Sequence, residues 1–320
     1  MKKHIEVVSY NPEWPLMFEA VATNIREILG DNCVAIHHIG STSVKGLTAK
    51  PVIDIIMAVK DREKAIISLE SLGYLYKGEY NIPMRLYFNK KKPIDVNLHV
   101  YEENHPEIEL NLLFRDYLRD HHESMNAYAF LKTNLLKNPS SFEKNKASFT
   151  GYNLGKDDFI RTILKQAGFN RIRFMRCMHH TEIETAKLFR QKYFFDKIPI
   201  EDPYLWTFDH KDNVHFVLYK GVDIIGYAHI QFWPDAKAAL RIIVIDEIHR
   251  HKGYGSEFLI LIEKWLKQQN IKILHIESSP EAYPFYCKHH YNKMPFADPE
   301  NHEDSIQEMC NNDIAIGKKF

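Results

Sequence analysis

The stretch Arg250-His251-Lys252-Gly253-Tyr254-Gly255-Ser256 decides the interpretation of the C-terminal half of the chain. It follows an apolar, β-branched segment and opens a helical pattern with an apolar stripe. Two glycines allow the backbone to approach an anion closely, and the N–H groups and dipole of the first helical turn attract negative charge. The stretch therefore predicts a loop that binds a diphosphate group. The alternative is a strand-to-helix turn in which the glycines serve only the backbone geometry.

The segments around this loop alternate between strand and helix patterns. A strand is predicted before a helix that begins with a capping box, Thr181-x-x-Glu184, and two further strands form a hairpin about the turn Lys220-Gly221. We expect both halves of the chain to be α/β (α+β) structures. Strands are predicted in this half at about 172–178, 214–219, 223–232, 240–245 and 271–277. A last strand at 313–318 could close the sheet. Further helices are predicted at about 258–266 and 280–289.

The order of these elements, with Ala282-Tyr283-Pro284-Phe285-Tyr286-Cys287-Lys288 after a strand, resembles the GNAT family of N-acetyltransferases over about residues 171–320. The resemblance implies a GNAT acyl-CoA N-acyltransferase fold and acetyl-CoA as the cosubstrate. It also implies that the acceptor is an amine of a small molecule or a peptide. The chain departs from the family after this helix, where it has His290-Tyr291 in place of the usual Gly-Phe.

The resemblance also implies roles for individual residues. The backbone of Ile243, Val244 and Ile245 is expected to bind acetyl-CoA and to stabilise the oxyanion that develops on its carbonyl. Tyr286 is expected to protonate the departing thiolate, because a phenol with a pKa near ~10 keeps its proton at neutral pH. The alternative for Tyr286 is a core tyrosine that packs against the sheet. The residues expected to hold the cofactor's diphosphate are Arg250, His251, Lys252, Gly253, Tyr254, Gly255 and Ser256.

The general base and the acceptor site are less well defined by the sequence. Glu277 ends the strand that faces the expected cleft, and His229, Glu247 or a relayed water molecule are the alternatives. In this fold the segment between the first helix and the hairpin covers the acceptor site. An acidic, aromatic cover suits a cationic amine, and a solvated loop is the alternative. The residues concerned are Asp196, Glu201, Asp202, Tyr204 and Trp206.

The N-terminal half has its own alternation of helices and strands. A helix with an apolar face is predicted at 12–29, strands at 34–39 and 52–59, and a hairpin from 84–88 and 94–100. The short segment Gly168-Phe169-Asn170 is the predicted boundary, which gives domains 1–168 and 171–320. The other helices are predicted at about 61–72, 107–120, 122–137 and 156–167.

A polar turn, Gly40-Ser41-Thr42-Ser43, connects the first two strands of this half, and carboxylates follow on neighbouring strands at Asp54 and Asp95. Such a turn can hold phosphates, and such carboxylates can hold Mg²⁺. Together with Tyr10-Asn11-Pro12-Glu13-Trp14-Pro15, Phe114-Arg115-Asp116 and Tyr128, these motifs resemble the GrpB (UPF0157) family over about residues 1–168. The resemblance implies a nucleotidyltransferase-like mixed sheet with helices.

Two departures affect the expected activity of this half. Lys45 stands where the family usually has proline. Active nucleotidyltransferases carry acid-x-acid on the second strand, whereas Asp54 is followed two residues later by Ile56. We therefore predict that Gly40, Ser41, Thr42, Ser43, Asp54 and Asp95 form a pocket for a phosphate-bearing ligand such as a nucleotide, with no metal ligand set. The alternatives are nucleotidyl transfer, which would require Mg²⁺, and non-catalytic nucleotide or CoA binding.

The composition excludes several other classes of protein. Forty-two basic and 42 acidic residues give a formal net charge of zero, so no general attraction to nucleic acid or membrane surfaces is expected. The start of the chain lacks the apolar stretch of a signal peptide, and no apolar run is long enough to span a bilayer. Cys33, Cys177, Cys287 and Cys310 form no Cys-x-x-Cys pair. We expect a cytoplasmic protein.

Overall fold

The computed structural model describes residues 6–144, 149–196, 200–299 and 312–320. The chain divides into two compact units. The N-terminal unit is Met1–Arg173 with Lys220–Asp223, and the C-terminal unit is Phe174–Tyr219 with Ile224–Phe320. The boundary that the sequence suggests, between domains 1–168 and 171–320, stays a prediction.

The N-terminal unit is built on a mixed sheet of five strands in the order β1-β2-β5-β4-β3. Strands β2 and β5 are parallel, and the other neighbouring pairs are antiparallel. The strands are β1 (Cys33–Ile39), β2 (Ile53–Val59), β3 (Leu75–Tyr76), β4 (Leu86–Lys90) and β5 (Val96–Glu102). The helices are α1 (Trp14–Leu29), α2 (Arg62–Ser71), α3 (Pro106–Asp120), α4 (His122–Lys137), α5 (Gly151–Leu154) and α6 (Asp157–Gln166).

The alternation of residues along β2 determines which of its side chains lie on the face of the sheet opposite α1. Ile53, Ile55 and Met57 belong to the same core cluster as the apolar stripe of α1, which includes Phe18 and Ile25. Successive residues of a strand point to opposite faces. Asp54 and Ile56 therefore lie on the other face of the sheet from α1, where the Gly40–Ser43 turn begins.

The C-terminal unit contains a sheet of seven strands in the order β11-β12-β10-β9-β8-β7-β6. Strands β9 and β10 are parallel, whereas β8–β9, β10–β12 and β11–β12 are antiparallel pairs. The strands are β6 (Ile172–Arg176), β7 (Asn213–Lys220), β8 (Asp223–Trp233), β9 (Lys237–Ile245), β10 (Ile273–Ser278), β11 (Asn292–Lys293) and β12 (Ile314–Lys319). The helices are α7 (His180–Arg190), α8 (Tyr254–Gln268) and α9 (Tyr283–Lys288).

Apolar spacing explains why α8 forms and where it packs. Phe258, Leu259, Ile262, Trp265 and Leu266 recur at helical spacing, and all of them are buried. The ring of Trp265 packs edge-on against that of Phe216 in β7, with their centroids 4.8 Å apart. This contact packs the carboxyl-terminal part of α8 against β7.

The α/β class of both halves is confirmed, but several details differ from the predictions, among them the short elements β3, β11 and α5, which were not predicted. The capping box of α7 is formed by His179 and Glu182 and not by Thr181 and Glu184, because the helix begins at His180. The carboxylate of Glu182 accepts from the N–H of His179 at 3.1 Å, and Nδ1 of His179 accepts from the N–H of Thr181. Strand β12 lies between β10 and β11, so it does not close the sheet. A π-helical turn at Gln191–Phe195 was not predicted.

No helix in the described ranges is both long and apolar enough to cross a membrane. Cys33, Cys177 and Cys287 are free thiols, and Cys310 lies outside the described residues. Residues 1–5, on which part of the signal-peptide argument rests, also lie outside them.

Candidate functional site

The amino terminus of α8 has no side-chain cap. Gly253 occupies the N-cap position with φ +86°, and it makes no side-chain hydrogen bond to the helix. A Cβ atom at Gly253 would meet no heavy atom within 4 Å, so open space lies in front of this terminus. The first N–H groups of a helix have no acceptor within the helix and carry a partial positive charge. This terminus can therefore bind an anion that approaches the backbone closely.

Strands β9 and β10 separate next to this terminus. Their parallel pairing covers only Lys237–Ala239 of β9 and Ile273–His275 of β10, and the described residues show no pairing beyond it. In β9 an extra residue, Arg241, interrupts the register with β8 between the pairs His229–Ile242 and Ile230–Leu240. A bulge of this kind bends the strand. The result is a cleft between the carboxyl-terminal parts of two neighbouring strands.

The structure places the predicted backbone ligands along this cleft. Ile243, Val244 and Ile245 pair with Ala228, Tyr227 and Gly226 of β8 on one edge only. Alternate residues of an antiparallel strand direct their N–H and C=O groups away from the partner strand. In this segment those groups face the side on which β9 does not pair with β10, and apart from the carbonyl of Ile245, which accepts from Arg250, they are open to a bound molecule.

Three side chains of the loop are already held by the protein. Nε of Arg250 donates to the carbonyl of Ile245 at 3.0 Å, and Nζ of Lys252 donates to the carbonyl of Ile248 at 2.9 Å. The hydroxyl of Ser256 lies 2.9 Å from Nε2 of His289. These contacts fix the loop and leave backbone N–H groups as its main donors toward an anion. His251 has a left-handed φ of +61°, as Gly253 has, so the loop backbone curves sharply here.

Tyr286 lies on α9 and is only 6% exposed. Its ring packs edge-on against those of Phe285 and Tyr291, with centroids 5.1 and 5.6 Å apart. Burial raises the pKa of Tyr286, so the phenol keeps its proton at all physiological pH values. His290 follows with φ +65°, a left-handed conformation that glycine adopts without strain, at the position where the GNAT family usually has glycine.

Glu277, the predicted general base, lies on β10 and is accessible to solvent. Partial desolvation raises the pKa of its carboxyl, the carboxylates of Asp313 and Asp298 act in the same direction, and Arg241 opposes them. Such a carboxylate takes up a proton more readily than an ordinary surface glutamate. Glu247 is exposed in the loop after β9.

His229 is not suitable as a base, because it belongs to a buried polar network. Its Nε2 lies 2.7 Å from Oδ1 of Asn213, and its Nδ1 lies 3.4 Å from Nη1 of Arg190. Burial lowers the pKa of His229 well below its usual value. Arg190 also binds both carboxylate oxygens of Asp202 and the hydroxyl of Tyr227. Both ring nitrogens of His229 are therefore engaged away from solvent.

The same buried network includes Asp202, one of the residues predicted to cover the acceptor site. Asp202 is buried and paired with Arg190, so its charge is not available to attract a cationic acceptor. Asp196 and Glu201 are exposed, although Asp196 accepts a hydrogen bond from Gln191. Trp206 lies in a short 3-10 helix, Leu205–Asp209, and is 43% exposed. The acidic, aromatic segment is thus present without Asp202.

In the N-terminal unit, the Gly40–Ser43 turn packs directly on Asp54. Gly40 has φ +70°, and a Cβ atom there would lie 2.5 Å from Oδ2 of Asp54, so only glycine fits. Thr42 and Ser43 are buried, and their hydroxyls donate to the carbonyls of Val52 and Gly40. Ser41 therefore carries the hydroxyl of this turn that is best placed for a ligand.

The register of the sheet places Asn97, and not Asp95, opposite Asp54. These two residues pair across β2 and β5, and Nδ2 of Asn97 donates to Oδ1 of Asp54 at 2.9 Å. Asp95 precedes β5, contrary to the prediction, and its carboxylate accepts from Nζ of Lys91 at 2.7 Å. Burial raises the pKa of Asp54, and the Asn97 bond opposes this effect. Among the residues that the structure describes, no group of three or more His, Cys, Asp and Glu could hold a metal ion.

Sequence reasoning missed Lys132, which contacts the Gly40–Ser43 turn from α4. This lysine is only 2% exposed, and its Nζ donates to Oγ of Ser41 at 3.0 Å and to the carbonyl of Thr48. Burial lowers its pKa to about 7, and the charge of Lys156 adds to the effect. The two contacting segments are 91 residues apart, so no local spacing could have indicated the pair.

We expect Lys132 to make the protein more stable as the pH rises from 7 to 9. Its pKa is about 7 in the folded chain and ~10.4 in the unfolded chain, so the unfolded state binds more protons in this range. The free energy of unfolding should rise by about 2 kcal/mol through this group. Urea unfolding of the wild type and Lys132→Met at pH 7 and 9 measures the difference. If the free energy of unfolding depends on pH equally in both proteins, Lys132 does not have a lowered pKa in the folded chain.

Comparisons with known proteins assign each half of the chain to a family. Residues 4–166 match the GrpB protein family, and residues 176–291 match the acetyltransferase (GNAT) family. The N-terminal half is 37% identical over 171 residues to the UPF0157 protein YqkA of Bacillus subtilis, a match that covers 52% of this chain and 48% of YqkA. The chain therefore spans about half the length of that relative.

Two further similarities concern the N-terminal half. The UPF0157 protein BH1888 of Halalkalibacterium halodurans is 32% identical over 166 residues, which cover 51% of this chain and 82% of BH1888. The conserved protein GrpB from Enterococcus faecalis, whose crystal structure is known, is 36% identical to this chain. The match covers 51% of this chain and 96% of that protein, with a TM-score of 0.45. The two family matches confirm both resemblances that the sequence motifs suggested.

Proposed function

The chain belongs to the GrpB family and carries an acetyltransferase domain of the GNAT family, and from this premise we propose that it transfers an acetyl group from acetyl-CoA to an amine. The observation that carries the proposal is the uncapped amino terminus of α8, which follows β9 where this strand separates from β10. A diphosphate suits the terminus, and an extended thioester arm suits the cleft. Acetyl-CoA, when bound, supplies the activated acetyl thioester.

The residues along the cleft can carry out the individual steps. Those N–H groups of Ile243 to Ile245 that point away from β8 donate to the thioester carbonyl and stabilise the negative charge that forms there during amine attack. Tyr286 donates its phenolic proton to the departing sulfur, and its raised pKa ensures that the proton is present. Glu277 removes a proton from the acceptor ammonium, either directly or through water.

The charges near Glu277 support a cationic acceptor. Asp313 is exposed and raises the pKa of Glu277, whereas the carboxylate of Asp298 is already paired with Arg241 and adds little to the attraction. A small-molecule or peptide amine that arrives as an ammonium would be attracted to this edge of the sheet. Neutral or acidic acceptors would not gain from it.

The experiment is a screen of amines with isotopically labelled acetyl-CoA, in which label transfer and release of the free CoA thiol are both followed. We expect transfer to at least one cationic amine, and hydrolysis alone at a much lower rate. A protein that neither releases CoA with any amine nor binds acetyl-CoA would contradict the proposal. Binding without turnover would favour the non-catalytic alternative.

A second function is favoured for the N-terminal unit, namely binding of a phosphate-bearing ligand such as a nucleotide at Gly40–Ser43. The supporting observation is the Lys132 ammonium at the hydroxyl of Ser41. Nucleotidyl transfer is disfavoured because no second carboxylate accompanies Asp54 in the described part of the sheet. Ile56 is its neighbour on the same face of β2, and Asn97 lies opposite it on β5. Mg²⁺ prefers a nearly octahedral set of oxygen ligands, which one carboxylate supplies poorly.

We expect no efficient turnover of nucleoside triphosphates in Mg²⁺ by the wild-type protein. Ile56→Asp places a second carboxylate on the face of β2 that carries Asp54, because residues two apart point the same way. Isothermal titration of Mg²⁺ should detect tighter binding in this variant than in the wild type. Release of pyrophosphate by the wild type, lost in Asp54→Ala, would instead make nucleotidyl transfer the function of this unit.

A further inference from the structure

Three lysines from distant parts of the chain lie near the Gly40–Ser43 turn or near Asp54, on which this turn packs. Nζ of Lys50 lies 4.2 Å from the ring centroid of Tyr152, and Nζ of Lys156 lies 4.7 Å from the same centroid. Lys132 contacts Ser41 of the turn and lies 4.8 Å from the ring of Tyr128. We call Lys50, Lys132 and Lys156 the lysine cluster.

The charges of the lysine cluster act on one another. Burial lowers the pKa of Lys156 to about 8, the charge of Lys50 adds to the effect, and Asp54 opposes it. The pKa of Lys132 is lowered to about 7 by burial and by the charge of Lys156. Like charges at close range disfavour the protonated form of each amine. The surroundings of Lys132 and Lys156 therefore stabilise their positive charges incompletely.

Among the described residues, the acidic groups that act on Lys132 and Lys156 do not restore the ordinary pKa values of these two amines. Asp54 is the carboxylate that interacts with Lys50 and Lys156, and it is already bonded to Asn97. Asp95 acts on Asp54 from a distance, but its carboxylate is paired with Lys91. In the described part of the chain, the phenols of Tyr128 and Tyr152 face the three amines, and burial raises the pKa values of both.

Hydrogen-bonding groups beside the lysine cluster are also incompletely used. The carbonyl of Thr48 accepts from Lys132, whereas the buried hydroxyl of Thr48 has no partner among the described residues. Buried polar groups in native proteins nearly always have a partner, which is often a ligand or water when the protein itself supplies none. Ser41 accepts from Lys132, so its own hydroxyl proton can be donated to another acceptor.

We propose that the N-terminal unit binds the phosphate or diphosphate group of its ligand at the lysine cluster without a metal ion. This rests on the phosphate-binding function proposed above and adds to it the residues and the absence of a metal requirement. Three ammonium groups supply the positive charge that bound Mg²⁺ would otherwise provide. The Ser41 hydroxyl supplies a neutral donor at the same place.

The test is isothermal titration of the full chain with inorganic pyrophosphate, once in EDTA and once in Mg²⁺. We expect binding in EDTA, and a loss of affinity of about tenfold or more in Lys50→Met and in Lys156→Met, because a charge-assisted hydrogen bond is lost. Lys92→Met is the matched control, since Lys92 is exposed in the turn between β4 and β5 and is expected to leave the affinity unchanged.

The outcomes separate the two proposals. Binding that requires Mg²⁺ would overturn the metal-independent site while the general phosphate-binding function survives. Equal affinity in the wild type, Lys50→Met and Lys156→Met would overturn the assignment to the lysine cluster. No binding under either condition would overturn both. None of these results depends on acetyl transfer, which the amine screen tests separately.

The affinity for sulfate at several pH values is a second test of the same site. Sulfate keeps a constant charge between pH 7 and pH 9, so any change in its affinity reports on the protein. We expect the affinity to fall over this range as Lys132 and Lys156 lose their protons. Circular dichroism at each pH shows whether the variants remain folded. A constant sulfate affinity from pH 7 to pH 9 would contradict the proposal.

Discussion

Gly253→Glu is expected to abolish the stabilisation of the protein by acetyl-CoA. In the wild type, acetyl-CoA at about 100 times its dissociation constant should stabilise the C-terminal unit by ~2.7 kcal/mol. A Cβ atom at position 253 enters open space in front of α8, so the glutamate side chain would occupy the expected diphosphate site and repel its charge. Thermal unfolding with and without acetyl-CoA measures the effect.

Two control variants separate charge from backbone strain. Gly253→Asn places a neutral residue that tolerates the left-handed φ of +86° at the same position. This variant should therefore keep part of the shift in unfolding temperature that acetyl-CoA causes. Gly255→Ala should keep it almost fully, because its Cβ would lie 3.7 Å from Phe285, an ordinary contact. Gly255→Glu should lose it for the same reason as Gly253→Glu. An unchanged shift in both glutamate variants would exclude the loop as the binding site.

Tyr286→Phe is expected to lower the turnover number by ~10²-fold or more while leaving the affinity for acetyl-CoA unchanged. The substitution removes one oxygen atom and keeps the ring that packs against Phe285 and Tyr291. A core residue with no catalytic role would change turnover little. Steady-state rates and acetyl-CoA titrations of the variant therefore distinguish proton donation from packing.

Tyr291→Phe is the matched control for this prediction. Tyr291 is also a buried tyrosine of the same cluster, but its hydroxyl donates to Oε1 of Glu263 at 2.9 Å. Its removal should lower stability by roughly 1–2 kcal/mol and leave turnover nearly unchanged. Normal turnover in Tyr286→Phe, with a large loss in Tyr283→Phe, would transfer the role of proton donor to Tyr283, which lies one helical turn earlier on α9.

Sequence reasoning was most successful where structure depends on local patterns. The apolar stripes of α1 and α8 and the glycine loop before α8 formed where the periodicity and turn residues indicated, whereas both strands of the predicted β4–β5 hairpin begin two residues later than predicted. It was less successful at helix starts. Thr181 and Glu184 have the spacing of a capping box, yet His179 and Glu182 form it, because a histidine nitrogen can also accept the N–H bond.

What the sequence by itself determined is therefore most of the longer helices and strands, the two families and the loop at Gly253, since propensity, periodicity and motif order act over short distances. The tertiary structure alone decided which polar side chains are available. It pairs Asp202 with Arg190, encloses His229, places Asn97 opposite Asp54 and brings Lys50 and Lys156 to one tyrosine ring. These relations depend on strand register and on contacts between residues far apart in the chain, which the local pattern around each residue does not contain.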